Sequence, residues 1–355
     1  MRGATGAATA AGLLLVLMLG FGCVVTRPPD TDAAPAAYGP EVVARAERYL
    51  ATLPDLPPDW RFDRFEVEPG VPLEVGFLPA RGARRGTAVV VPGFTAPLEL
   101  HADEYVRLAE GGWDVAALSQ RGQGRSPRLT PDPDLGHVED YARLAADLRA
   151  FAAAQEGPVV AMAISMGGHT ALRAAAEGAP FAAVAVVVPM VAILTADVPE
   201  WQARLLSGTM DRLGLGARYA PGGGPWSPEP FVTDAPPEGS ICTADPARAH
   251  LRDALFLRHP ELRVAAPSVG WVAATLRSQA WLRGRGPELT PPVLMVTAGR
   301  DGLVDTAAAQ ALCDAAPACE ELHLPEAMHC VLEGVDPEAD RAMDAILTFF
   351  EAAVR

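Results

Sequence analysis

From about residue 60 onwards the chain alternates short, nearly unbroken runs of Val, Ala and Leu with longer stretches of helical periodicity. A strand with one wet face alternates apolar and polar residues. A run that is apolar throughout and bounded by Gly or Pro is a strand buried on both faces. The segments TAVVVPG, WDVAALS, VVAMAIS, AAVAVVVP and PVLMVTAG have this character. Helices predicted over 103–110, 138–155, 166–177 and 306–314 fall between or after them, and ELHLPE and a helix over 338–353 close the chain. FDRFEVEP and PLEVGFLPA read as an early strand pair, preceded by a helix over 41–52. Strand–helix alternation of this kind predicts an α/β protein with a mostly parallel central sheet and helices on both faces.

The rhythm stops between residues 190 and 290, where Pro-Gly clusters (APGGGPWSPEP) accompany amphipathic stretches over 246–257 and 269–281. This segment is expected to be a helical insertion lying over the sheet, with 41–189 and 291–355 forming the core. Residues 24–40, rich in Pro and small side chains, read as a flexible tether. The first 23 residues place Arg2 ahead of an uncharged run that becomes strongly apolar from Leu13 to Phe21, the layout of an export signal. The stretch Leu19-Gly20-Phe21-Gly22-Cys23 resembles a lipoprotein signal and makes Cys23 a candidate for lipidation. An uncleaved anchor over 7–25 is the alternative. The expected location is therefore exported, periplasmic or in the cell envelope, with membrane association through the amino terminus.

Hydrophobic residues make up 50% of the 355, which excludes a disordered chain, and the formal net charge is −15. That charge repels phosphate backbones, so nucleic acid is not an expected partner. No segment points to a protein partner. Of the five cysteines, Cys313 and Cys319 flank a short surface turn and are expected to form a disulfide worth about 2 kcal/mol in an oxidising compartment. Cys242 and Cys330 have no evident partner, and no Cys/His spacing suits a metal.

The strongest chemical signal is Ala163-Ile164-Ser165-Met166-Gly167-Gly168, which follows a buried strand and opens a helix. That context is a nucleophile elbow, a sharp turn presenting a serine hydroxyl above the sheet edge. Sheets of this kind carry their catalytic groups at the carboxyl ends of strands. After PVLMVTAG comes Asp301, and after ELHLP comes His329. His329 is the expected general base and Asp301 the acid that orients it. Asp305 is the rival acid, but it immediately precedes a helix and suits an N-cap. The backbone N–H groups of Phe94, behind Pro92-Gly93, and of Met166 are the expected oxyanion donors. The segment Gln120-Arg121-Gly122-Gln123-Gly124-Arg125-Ser126 lacks the Lys-Ser/Thr ending and following helix of a phosphate loop, and Arg121 reads as an ion-pair residue. This chemistry needs no cofactor and no metal.

These residues resemble the lysophospholipase and monoacylglycerol-lipase branch of the α/β hydrolases, the group often labelled with serine aminopeptidases. The matching pieces are Pro92 to Thr95 with Asp103-Glu104-Tyr105, Arg121 to Ser126, His137 to Tyr141, the Ser165 elbow, Ala298 to Asp301, and His329. Arg258 to Arg263 and the Cys313/Cys319 pair are similar too, so the resemblance runs from about Trp60 to the end. It departs at Ala163, where the branch usually has Gly, at Ser119-Gln120, where an Asp and an aromatic often stand, and at Phe94, where close relatives tend to be polar.

The resemblance implies an α/β-hydrolase fold and hydrolysis of carboxylic esters, of lysophospholipid or monoacylglycerol type, under a helical cap. Trp271 and Trp281 are available to line an acyl pocket, although such residues are more often plain core. A peptidase or acyltransferase using the same triad, and a non-catalytic envelope lipoprotein with this fold, are the alternatives.

Overall fold

The computed structural model describes residues 38–196, 198–227, 242–243, 245–333 and 337–355. The expected signal or anchor over 1–23, Cys23 within it, and all but the end of the tether lie outside the described residues. No helix among the described residues is long and apolar enough to cross a membrane.

Helix α1 (Pro40–Leu50) precedes the antiparallel pair β1 (Arg61–Glu68) and β2 (Val71–Leu78). Then follow β3 (Gly86–Val91), α2 (Ala102–Glu110), β4 (Trp113–Leu118), α3 (Tyr141–Ala153), β5 (Val159–Ile164), α4 (Met166–Ala176) and β6 (Ala183–Val187). The next segment carries α5 (Glu200–Met210), α6 (Pro246–Ala249), α7 (Leu251–Arg258) and α8 (Val269–Leu282). The chain closes with β7 (Val293–Ala298), α9 (Thr306–Asp314), β8 (Cys319–Leu324) and α10 (Pro337–Ala353). The strands form one eight-stranded sheet in the order β1-β2-β4-β3-β5-β6-β7-β8. Strands β3 to β8 pair in parallel, while β2 meets both β1 and β4 antiparallel.

The continuous apolar runs are explained by burial on both faces. Along β3, Ala88 and Val90 join one core while Val89 and Val91 join the other. The first core is covered by α2 and α10 through Tyr105, Leu108, Ile346 and Phe350. The second is covered by α3, α4 and α9 through Leu148, Phe151, Leu172 and Leu312. The edge strands differ: β1 is exposed and studded with Arg61, Asp63, Arg64 and Glu66, and β8 exposes Glu320, Glu321 and His323, charges that discourage pairing with another chain. Helix α3 begins three residues later than the periodicity predicts. Asp140 turns the chain there and accepts the N–H of Ala142 at 2.8 Å, an N-cap that sets the start.

Helix α1 does not lie on the sheet. Tyr49 and Leu50 pack with Leu251 and Leu255 of α7 in a third, separate core. Helix α8 is tied to the rest of the chain by His137, whose Nδ1 is 2.8 Å from Ser268 Oγ at its head, and by Tyr141, whose hydroxyl is 3.0 Å from Thr275 Oγ1. Cys313 and Cys319 are bridged, as expected, across the turn from α9 to β8. Cys242 and Cys330, which the sequence leaves without partners, are bridged as well, across 88 residues. That pairing is a correction. It joins the insertion to the loop after β8, a proximity that no local spacing encodes.

Candidate active site

Ser165 occupies the turn between β5 and α4 with φ 51° and ψ −111°, a conformation that costs a non-glycine residue of order 1–3 kcal/mol. Hydrogen bonds hold it there. Its N–H donates to Val187 O at 2.9 Å, and its carbonyl accepts from His169 N and Met190 N, each at 3.0 Å. The small residues beside it are dictated by contact. A Cβ on Gly167 would run into the carbonyl oxygens of Val91 and Pro92, and one on Gly93 would lie 3.3 Å from the Ser165 Cβ. Ala163 is fully buried in the second core and its methyl is accommodated there.

The loops after β7 and β8 bring the other two groups to this turn. His329 Nε2 lies 3.0 Å from Ser165 Oγ, and its Nδ1 lies 2.8 Å from Asp301 Oδ2. The other Asp301 oxygen accepts the N–H groups of Leu303 at 2.8 Å and Val304 at 3.0 Å. Burial alone would raise the Asp301 carboxyl. The hydrogen bond and charge of His329, with the two backbone N–H groups, outweigh it and hold the carboxyl below its ordinary value. Asp305 points elsewhere and caps α9, accepting from Ala307 N at 2.9 Å.

Met166 is the first residue of α4, so its N–H is among those a helix leaves without an intrahelical acceptor. Gly93, the residue before Phe94, stands against Ser165. The Phe94 ring turns away toward the cap and packs 5.0 Å from the Trp271 ring. This gives an apolar contact between the Gly93-Phe94 loop and α8.

Two residues with structural work at this site went unassigned in the sequence. Gln123 is buried, and its Oε1 accepts the N–H of Thr95 at 2.8 Å, holding that residue at φ 64° directly after Phe94. Gln120 accepts Thr170 Oγ1 of α4 at 2.6 Å and reaches Pro92 O at 3.4 Å. A glutamine among glycines directly after a buried strand was the available signal. Arg121 in the same segment pairs with Asp147 and Glu68, as an ion-pair residue should. His169, one turn past Ser165, is fully buried. Its Nδ1 is 3.1 Å from Met190 O and so carries the proton, leaving Nε2 to accept Ser278 Oγ at 2.7 Å. Burial, then the charge of Arg173, push it down to about 3, and it is neutral.

This arrangement has relatives. Residues 82–336 match the family described as serine aminopeptidase, S33. Lysophospholipase L2 of Escherichia coli (strain K12) is 30% identical over 294 residues, which is 78% of this chain and 84% of that protein. Among solved structures, monoacylglycerol lipase of Paleococcus ferrophilus superposes with a TM-score of 0.64 at 16% identity, covering 79% of this chain and 99% of that one. A soluble variant of monoglyceride lipase from Saccharomyces cerevisiae gives 0.64 at 16%, covering 85% and 96%. A carboxyl esterase from Bacillus coagulans gives 0.63 at 14%, covering 83% and 99%. At these identities the structural likenesses speak to the fold.

Proposed function

The chain belongs to the serine aminopeptidase S33 family of α/β hydrolases and is a carboxylester hydrolase, and we propose that it cleaves single-chain lipid esters of lysophospholipid or monoacylglycerol type through Ser165, His329 and Asp301. The observation that carries this reading is the continuous relay from Asp301 through His329 to the strained Ser165 hydroxyl.

In this mechanism Ser165 Oγ attacks the ester carbonyl as His329 Nε2 takes its proton. The N–H groups of Phe94 and Met166 receive the oxyanion, each worth about 3 kcal/mol in the transition state. Asp301 stabilises the imidazolium and holds its tautomer. His329 then protonates the departing alcohol, and a water molecule, deprotonated by the same nitrogen, releases the acid from the acyl-enzyme.

The substrate class draws support from the lysophospholipase relative and from the surface of α5. Trp201, Leu205, Leu206 and Leu213 are each more than half exposed along α5 and the turn that follows it. The acids of this segment are paired, Glu200 with Arg283 and Asp211 with Arg277. Exposed Arg204 and Arg212 are left beside the apolar side chains. A tryptophan and leucine face flanked by arginines suits the plane of a lipid surface. Leu194, six residues ahead of α5 and itself half-exposed, donates its N–H to Leu303 O at 2.9 Å, two residues beyond Asp301. Tyr38, just ahead of α1, packs against Trp226.

A fluorophosphonate probe on the wild type and on Ser165→Ala, with the labelled peptide mapped, tests the nucleophile. Hydrolysis of lysophospholipid and monoacylglycerol, with glycerol and aminoacyl-peptide arms, then tests the substrate and separates hydrolase from acyltransferase and peptidase. Full esterase activity in Ser165→Ala would overturn the proposal.

A further inference from the structure

Cys330 directly follows His329, and its bridge to Cys242 is reinforced by a backbone hydrogen bond, Cys330 N donating to Cys242 O at 2.9 Å. The two Cα atoms are 4.7 Å apart. On the other side of the histidine, Ala327 is held to the acid loop, its carbonyl accepting Arg300 N at 2.9 Å. His329 therefore sits between two anchors, one on the Asp301 loop and one on the insertion between β6 and β7. Beyond Cys330 the chain turns at once into a short helical turn over Val331–Glu333.

This placement has a chemical consequence. Strand β8 is the sheet edge, with β7 on one side only, so the loop that leaves it has no second neighbouring strand to hold it. The imidazole must satisfy 3.0 Å to Ser165 and 2.8 Å to Asp301 together. A backbone drift of about 1 Å at such a group can cost on the order of 10²-fold in rate. The second disulfide makes no such contribution. Cys319 begins β8, at the opposite end of the strand from the His329 loop, and Cys313 lies in α9.

We propose that the Cys242–Cys330 disulfide is a positioning element for His329, so that the hydrolase is fully active only when oxidised. A dithiol that reduces this bridge, gaining the disulfide itself as two cysteine thiols form, frees the histidine loop from the insertion and lowers turnover. The inference rests on His329 acting as the general base, as proposed above.

The test compares wild type, Cys242→Ser/Cys330→Ser and Cys313→Ser/Cys319→Ser on a water-soluble short-chain aryl ester, well below each protein's melting temperature. Loss of the first bridge is expected to lower kcat about 10²-fold, with KM within about twofold. The rate of fluorophosphonate labelling at Ser165 should fall by a similar factor. Loss of the second bridge should leave all three unchanged. Should the first double variant not fold, wild type reduced by dithiothreitol, its free thiols counted by alkylation, replaces it. Its turnover should fall while circular dichroism stays native, and reoxidation should restore it. Unchanged kcat and labelling with Cys242 and Cys330 demonstrably reduced would overturn the proposal. Retained esterase activity in Ser165→Ala would instead overturn the catalytic reading on which it rests, so the two failures are distinguishable.

Discussion

The side-chain oxygen of Gln123 accepts the backbone N–H of Thr95 at 2.8 Å, one residue beyond the Phe94 N–H that we assign to the oxyanion. Thr95 is held at φ 64°, so this bond fixes the peptide geometry of a donor loop rather than merely filling space. Gln123→Leu leaves a buried N–H unpaired, at a stability cost of about 1–3 kcal/mol. We expect kcat to fall about tenfold or more with KM little changed, because a misplaced donor acts on the transition state. Steady-state kinetics with a soluble ester, beside a denaturant melt, checks both.

The triad assignment predicts an unequal series. Ser165→Ala and His329→Ala should each lower kcat by about 10⁴–10⁶. Asp301→Asn should cost on the order of 10⁴, since an amide holds the wrong tautomer. Asp305→Asn should stay within about twofold of wild type, because Asn caps a helix as well as Asp. An Asp305 variant as impaired as Asp301→Asn would reassign the acid.

Acid stability should carry the mark of His169. Its folded value is depressed to about 3 against an ordinary 6.5, so the unfolded chain takes up a proton before the folded one does. Its contribution is whole above pH 6.5 and is lost progressively as pH falls towards 3. The Asp301 carboxyl, also held low, adds a loss that begins only near the ordinary carboxylate range. Melting temperature against pH should therefore decline from about pH 6.5, and His169→Gln should flatten the upper part of that decline. An unchanged slope in the variant would count against a neutral buried His169.

The exposed face of α5 predicts a split between dispersed and aggregated substrates. Leu205→Glu with Leu213→Glu should lower hydrolysis of lysophospholipid in vesicles by about tenfold or more, given 1.5–3 kcal/mol for each leucine that enters an apolar phase. Hydrolysis of a soluble short-chain ester should not change. Equal losses on both substrates would place these leucines in the fold of the cap instead.

Much of the architecture was legible because it is written in local periodicity. The runs in β5, β6 and the Ala88–Val91 part of β3 are apolar at every position since successive side chains alternate between two buried cores, as Val89 and Val90 do. The elbow was legible because a Ser between a buried strand and a helix, with Gly two residues on, satisfies one tight local geometry. The boundary of α3 was less so. Asp140 takes the cap and overrides three residues of favourable pattern.

Outside the segment between β6 and β7, where the helix over Glu200–Met210 was not foreseen, sequence by itself determined the order and type of the elements, the serine at the end of β5, and the strands whose ends carry Asp301 and His329. Chain geometry sets these through spacings of a few residues. Tertiary structure alone decided that Cys242 reaches Cys330, that Gln123 holds Thr95, that Phe94 meets Trp271 and that α1 rests on the cap. Each of these contacts joins segments that local spacing leaves independent. Their proximity is fixed only when the sheet is assembled and the segment between β6 and β7 packs against the loops that leave it.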